Sequence, residues 1–96
     1  MSRNSFNDKH TIIIKMDRII TKIEPKENLT LIATFADGEI VLFDVRTIMD
    51  KYPVFRALEN TELFNSVFID GIGYAVAWND ELDLSSDSIY TRGKHI

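Results

Sequence analysis

The side chains best suited to chemistry cluster near the carboxyl end of the chain and are Asn79, Asp80, Glu81, Asp83 and Asp87. Amide and carboxylate oxygens at such short spacing are the ligands that calcium prefers. In a calcium loop that begins at Asp83, however, Ser88 stands where glycine is needed and Lys94 stands where glutamate is needed. Ser85 and its acidic neighbours are also typical of the start of a helix. We therefore interpret the cluster as structural.

Catalysis by an acid, a base or a nucleophile needs a partner group held beside the reacting atom. Asp44 and Asp83 each lie between apolar residues, but neither has a histidine nearby in the sequence. His10 and His95 fall near the chain ends, where we expect the backbone to be poorly held. Gly71-Ile72-Gly73 lacks the third glycine of a dinucleotide-binding motif. The sequence therefore predicts no catalytic residue, no metal ligand and no cofactor.

Length and composition narrow the class of protein. The chain has 96 residues, of which 45% are hydrophobic and 27% are charged, as expected for one globular domain. The formal net charge of −4 argues against direct binding to nucleic acid, and the lack of cysteine excludes disulfides and thiol chemistry. The first residues do not resemble a signal peptide, and no apolar run reaches the roughly 20 residues that span a bilayer. We expect a cytoplasmic protein with no membrane contact.

The pattern of apolar residues divides the chain into three parts. Residues 1–17 are predicted to form a loose leader, with room for a short strand at 12–14. Residues 18–91 are predicted to form a single α+β domain, followed by a frayed tail at 92–96. Within the domain, strands are predicted at 19–23, 29–36 and 39–43. Glu24–Asn28 is predicted to be a turn, because Pro25 cannot donate to a sheet.

The dipeptide Asp37-Gly38 predicts a hairpin with a two-residue loop. Such a loop would set Phe35 opposite Ile40 and Ala33 opposite Leu42, and would turn these side chains toward the core. The opposite face would then be more apolar than a wetted surface. Together with Phe68 of a later strand, the large apolar side chains of that face form our candidate interaction surface, which consists of Ile32, Val41, Phe43 and Phe68.

Short helices are expected after the first hairpin. Asp44 is suited to cap a helix over 45–51, and Pro53 is suited to begin a second helix. In that helix Val54, Phe55 and Leu58 would face inward. A single helical turn holding Leu63 and Phe64 would follow Asn60-Thr61.

A second hairpin is predicted from 66–70 and 74–79 around Gly71-Ile72-Gly73. Leu82–Tyr90 is predicted to be a loop and a short helix capped by Ser85. The fold class is therefore α+β, with two β-hairpins plus an N-terminal strand, mainly antiparallel pairing, and short helices between and after the strands.

Several stretches together match one family signature. The first is Leu31–Glu39 (LIATFADGE), which is followed by Phe43-Asp44-Val45. Later come Trp78–Leu84 (WNDELDL) and Asp87–Tyr90 (DSIY). In this order, over residues 18–91, the chain resembles the small bacterial family called domain of unknown function 2442. Asp80-Glu81 departs from the Asn-Gly common in relatives, so we expect a different loop there.

The resemblance implies a small antiparallel α+β fold and no assigned activity. Some relatives resemble a module joined to a helix-turn-helix domain, for which residues after Tyr90 would leave no room here. Others resemble partners of small neighbouring proteins in toxin–antitoxin-like pairs. The leading hypothesis is thus a non-catalytic interaction module that either self-associates or binds a protein partner in an antitoxin-like role.

Two alternatives remain open. One is an accessory subunit of a transcriptional regulator, in which another chain supplies the DNA contact. The other is a small-ligand-binding domain with a pocket edged by Trp78, Asp83 and Tyr90. Charge is uneven, since residues through Asn28 include six basic and four acidic side chains, whereas those from Leu29 include five and eleven. Such poles can orient a partner.

Overall fold

The computed structural model describes residues 18–96, so the predicted leader at 1–17 and its strand at 12–14 lie outside the described residues. The strands are β1 (Ile20–Lys26), β2 (Thr30–Phe35), β3 (Ile40–Asp44), β4 (Phe68–Asp70), β5 (Ala75–Asn79), β6 (Leu82–Ser85) and β7 (Lys94–His95). The helices among the described residues are α1 (Thr61–Asn65), α2 (Ser86–Arg92) and the 3-10 helices Val45–Ile48, Pro53–Glu59 and Gly71–Gly73.

Two antiparallel sheets share one hydrophobic core, which confirms the predicted α+β fold class. The strand order is β1-β2-β3-β7 in the first sheet and β4-β5-β6 in the second. Both sheets and the helices contribute to the core, whose most completely buried side chains include Leu31, Phe35, Phe43, Leu58, Val76 and Ile89. Between residues 18 and 96, no helix is both long and apolar enough to cross a membrane.

The loop of the first hairpin has three residues rather than the predicted two. The Phe35 amide donates to the Glu39 carbonyl at 2.8 Å, and the Gly38 amide donates to the Phe35 carbonyl at 2.9 Å. Gly38 has a φ of +93°, so a turn closed by a left-handed glycine joins β2 to β3. The Asp37 carboxylate fixes this loop by accepting from the Glu39 amide at 2.8 Å.

The extra loop residue moves the pairing by one position, which exchanges the two faces of β3. Ala33 pairs with Val41, and not with Leu42 as predicted. The predicted orientation of β3 is therefore wrong: Val41 and Phe43 are buried at 0% and 1% exposure, and Ile40 is exposed.

The predicted turn at 24–28 is also displaced. β1 continues through Pro25 to Lys26, and the turn covers 27–29, with Asn28 and Leu29 at positive φ. Pro25 is tolerated because β1 lies at the edge of its sheet, where an amide is not needed on the outer side.

The helices after β3 begin where the sequence predicts. The Asp44 carboxylate accepts from the Arg46 amide at 2.9 Å and caps a 3-10 helix that ends at Ile48 instead of 51. Pro53 begins the next 3-10 helix, in which Phe55 and Leu58 are buried. Val54 does not face inward as predicted, because it is 57% exposed.

The second hairpin and the Ser85 cap are confirmed, whereas the loop predicted before that cap is a strand. β6 pairs with β5, and its buried Leu82 and Leu84 alternate with the exposed Asp83 and Ser85. This alternation is the period of a half-buried strand. The Ser85 hydroxyl then accepts from the Ser88 amide at 3.1 Å and caps α2.

The frayed tail predicted at 92–96 is wrong for its last residues. Lys94 and His95 form β7, which pairs with Leu42 and Val41 of β3. The Ile96 amide donates to the carbonyl of Ile40 at 3.0 Å. The sequence shows too few apolar residues here to indicate a strand.

Candidate interaction surface

The four residues of the predicted interaction surface do not form one surface. Val41 and Phe43 belong to the core because of the shifted register. Ile32 is half-buried in the first sheet, and Phe68 is 47% exposed in the second. Of the four, Phe68 alone presents a large exposed apolar side chain.

The predicted pocket edge is likewise distributed over three places. Trp78 is buried, and its indole Nε1 donates to the Phe64 carbonyl at 3.0 Å. Its ring lies 6.5 Å from the Phe64 ring and 6.3 Å from the Phe55 ring, so it serves the core. Tyr90 instead donates its hydroxyl to Asp37 at 2.8 Å, and Asp83 lies on the exposed side of β6.

Asp83 does line a cavity of about 220 Å³, but Trp78 and Tyr90 do not. Phe43, Ile48, Phe55 and Leu84 give this cavity an apolar floor. Its volume is below the roughly 300–1,000 Å³ of ordinary ligand sites. It is large enough for a few water molecules or for one side chain of a partner.

Two members of the acidic cluster, Asn79 and Asp87, have structural roles. Asn79 Oδ1 accepts from the amides of Glu81 and Leu82, both at 2.9 Å, and so closes the turn between β5 and β6. Asp87 forms a salt bridge with Arg18 at 2.7 Å. In the part of the chain that the structure describes, no three His, Asp or Glu side chains are arranged to hold a metal ion.

Asp44, the second carboxylate considered for catalysis, is held in its charged form. The Arg46 side chain donates to its two oxygens at 3.0 and 2.8 Å. This hydrogen bonding keeps the pKa of Asp44 below its usual value. A general acid needs the opposite shift, so the geometry favours the capping role.

The most unusual exposed feature is the end of the β4–β5 hairpin. Ile72 is 80% exposed and has a φ of +49°, which is rare for a β-branched residue. Phe68 and Tyr74, which precede and follow it in the sequence, are exposed at 47% and 42%. We call Phe68, Ile72 and Tyr74 the hairpin-tip surface.

The flanking glycine shows how this tip is held. Gly73 has a φ of +102° and packs against β1, where a Cβ atom would lie 2.7 Å from the Ile20 carbonyl oxygen. The tip is therefore fixed against the first sheet at Gly73, while the side chain next to it in the sequence remains in solvent.

The segment that carries the hairpin-tip surface is acidic, and the cation beside Tyr74 is Arg18, which pairs with Asp87. Residues 57–91 contain no Lys or Arg. Their seven carboxylates, all on exposed residues, are Glu59, Glu62, Asp70, Asp80, Glu81, Asp83 and Asp87. An apolar patch within an acidic segment is suited to a basic surface that also carries apolar groups.

A polar cluster joins the C-terminal strand to the first hairpin. His95 lies between Glu39 and the Tyr90 backbone, and the Tyr90 ring meets the His95 ring edge-on at 4.8 Å. The hydrogen bond to Glu39 raises the pKa of His95, and the Tyr90 carbonyl adds to this. The hydrogen bond to Asp37 raises the pKa of Tyr90. We call His95, Glu39, Tyr90 and Asp37 the C-terminal clasp.

Ile72, Tyr74 and His95 are the residues that sequence reasoning missed. A β-branched residue between two glycines was a usable signal, because a side chain at the end of a tight turn has little core to reach. His95 gave no such signal, since its partners Glu39 and Tyr90 are set by the tertiary structure.

Comparison with known proteins gives one match. The model of a family described as a protein of unknown function (DUF2442) matches residues 20–95. Searches of curated proteins and of solved structures find no match. The matched segment runs from the first residue of β1 to the last residue of β7. The chain therefore belongs to the DUF2442 family.

Proposed function

We propose that this chain is a non-catalytic protein-binding module of the cytoplasm. Its hairpin-tip surface would bind a basic partner protein that carries an apolar patch. The observation that carries the proposal is Ile72, a large apolar residue that is both exposed and in a left-handed conformation.

Two features show that Ile72 does little for the stability of the isolated molecule. Left-handed backbone costs an L-residue with a Cβ atom about 1–2 kcal/mol relative to ordinary conformations. Its side chain, being 80% exposed, also gains little from burial. A glycine or asparagine would satisfy the turn at lower cost. Binding to another protein would bury the side chain and account for its presence.

The charge pattern favours a partner over a second copy. A symmetric dimer through this surface would bring together two copies of the acidic segment, including the exposed Asp70 that directly precedes the tip. Like charges at an interface oppose association, whereas a basic partner is attracted to the same region. The specific form of the proposal is an antitoxin-like role toward a small basic protein.

The test compares two exposed apolar positions in the intact protein. Wild type, Ile72→Asn and Val54→Ser are immobilised and used to capture proteins from lysate of the source cell at moderate salt. Val54 is the matched control because it is 57% exposed but lies on a 3-10 helix outside the tip. Any protein retained by wild type is identified, purified and titrated calorimetrically against all three.

We expect a basic partner whose Kd is unchanged by Val54→Ser and raised at least about tenfold by Ile72→Asn, a loss of roughly 1.4 kcal/mol. Equal binding by Ile72→Asn would contradict the assignment of the surface. Sedimentation of wild type alone should show a monomer. A dimer that Ile72→Asn dissociates would instead identify the partner as a second copy.

A further inference from the structure

The C-terminal clasp places hydrogen-bond acceptors at both nitrogens of one imidazole. His95 Nδ1 lies 2.5 Å from the Glu39 carboxylate, and Nε2 lies 2.7 Å from the Tyr90 carbonyl oxygen. Neither oxygen can donate a hydrogen bond when Glu39 is ionised. A neutral imidazole has a single N–H and can satisfy only one of them. Both contacts are made at once only by the imidazolium ion.

We propose that His95 is a proton-binding site that closes the C-terminal strand, so that β7 acts as a pH-operated latch on the edge of β3. The closed contact is small, because β7 has two residues, with one further backbone hydrogen bond from Ile96 to Ile40. The two side-chain contacts of His95 add to this small set of contacts.

The charges that face the clasp favour the protonated form. Glu39 and Asp37 approach from the first hairpin, and the Tyr90 hydroxyl of α2 is committed to Asp37. Arg18 lies 4.6 Å from the centre of the Tyr90 ring, but its guanidinium pairs with Asp87. The only charged neighbour of His95 within β7 is Lys94, which is exposed. Of the charged side chains named here, the one nearest the imidazole is the Glu39 carboxylate.

The sign of the pH dependence follows from the raised pKa of His95. The stabilisation of the closed strand is fully present below the pKa of the free histidine, about 6.5, and is lost as the pH rises through the raised value. Above that pH, β7 leaves β3 and uncovers its backbone edge, to which an extended segment of another chain can pair.

Gly93 offers a way to open the latch without changing a charge. A Cβ atom there would lie 2.8 Å from the Leu42 carbonyl oxygen and 2.7 Å from the Ile89 carbonyl oxygen. Gly93→Ala should therefore keep β7 off β3 while leaving His95 and Glu39 in place. Glu39→Gln removes the carboxylate, and Glu62→Gln is the matched control on an exposed residue of α1.

The experiment is an NMR titration of the His95 ring in the full chain, with a peptide of residues 92–96 as the reference. We expect a pKa above that of the peptide in wild type and in Glu62→Gln, and a shift toward the peptide value in Gly93→Ala and Glu39→Gln. Protection of the Leu42 amide from hydrogen exchange should be lost over the same pH range.

A wild-type pKa equal to that of the peptide would overturn the proposal. So would a raised pKa that persists in Gly93→Ala, because the proton would then not depend on closure. Should Gly93→Ala not fold, Glu39→Gln and the pH dependence of Leu42 protection decide the question. These outcomes do not involve the hairpin-tip surface, so they are independent of the proposed function.

Discussion

The β2–β3 and β4–β5 loops both contain left-handed backbone but place different side chains there. In the first, Ala36–Gly38, the left-handed position is Gly38. The neighbouring Asp37 is polar and accepts hydrogen bonds from the Glu39 amide and the Tyr90 hydroxyl. In the second, Gly71–Tyr74, a left-handed position holds Ile72, whose side chain is 80% exposed.

The difference separates residues that serve the fold from residues that do not. Asp37 and Gly38 fit their loop, and Asp37 also ties α2 to the first sheet through Tyr90. Gly73 serves the fold in the same sense, because it lets the second hairpin approach β1. Ile72 does neither. The proposed function accounts for its presence by a contact with a partner.

The largest expected effect tests the register that the first loop sets. Phe43→Ser should lower the free energy of unfolding by about 3–5 kcal/mol, because Phe43 is 1% exposed and its removal leaves a cavity. Phe68→Ser should change it by less than about 1 kcal/mol, since Phe68 is 47% exposed. Urea denaturation of both variants measures the contrast. Similar losses would show that the two faces are not as described.

The next effect compares a glycine of each loop. Gly73→Ala should cost about 2–4 kcal/mol, because the new methyl group meets the Ile20 backbone in addition to the strain of positive φ. Gly38→Ala should cost about 1–2 kcal/mol from strain alone, since no atom lies within 4 Å of its Cβ position. Thermal and urea unfolding of the pair should preserve this order. The reverse order would contradict the packing of the second hairpin on β1.

The sequence predicted the elements better than it predicted their faces. Apolar periodicity located both hairpins, and Asp44, Pro53 and Ser85 began their helices as expected. Asp37-Gly38 is compatible with loops of two or three residues. This difference of one residue in loop length sets the register and so decides whether Val41 and Phe43 are buried.

The C-terminal clasp and the predicted pocket edge were harder to predict, because they depend on contacts between distant segments. His95 meets Glu39 from 56 residues away. Trp78 looked suited to a pocket but is buried against Phe55 and Phe64. Phe68 was the residue of the predicted surface that could be found locally, since it alternates with the inward-facing Ile69 on a short edge strand.

The most direct test of the account is a paired measurement on Ile72→Asn. Asparagine tolerates left-handed backbone, so the free energy of unfolding should stay the same or rise by up to about 1 kcal/mol. Affinity for the partner should fall at least about tenfold in calorimetry. Stability kept and binding lost is the predicted result. Stability lost with binding kept would show that Ile72 serves the fold and would contradict the account.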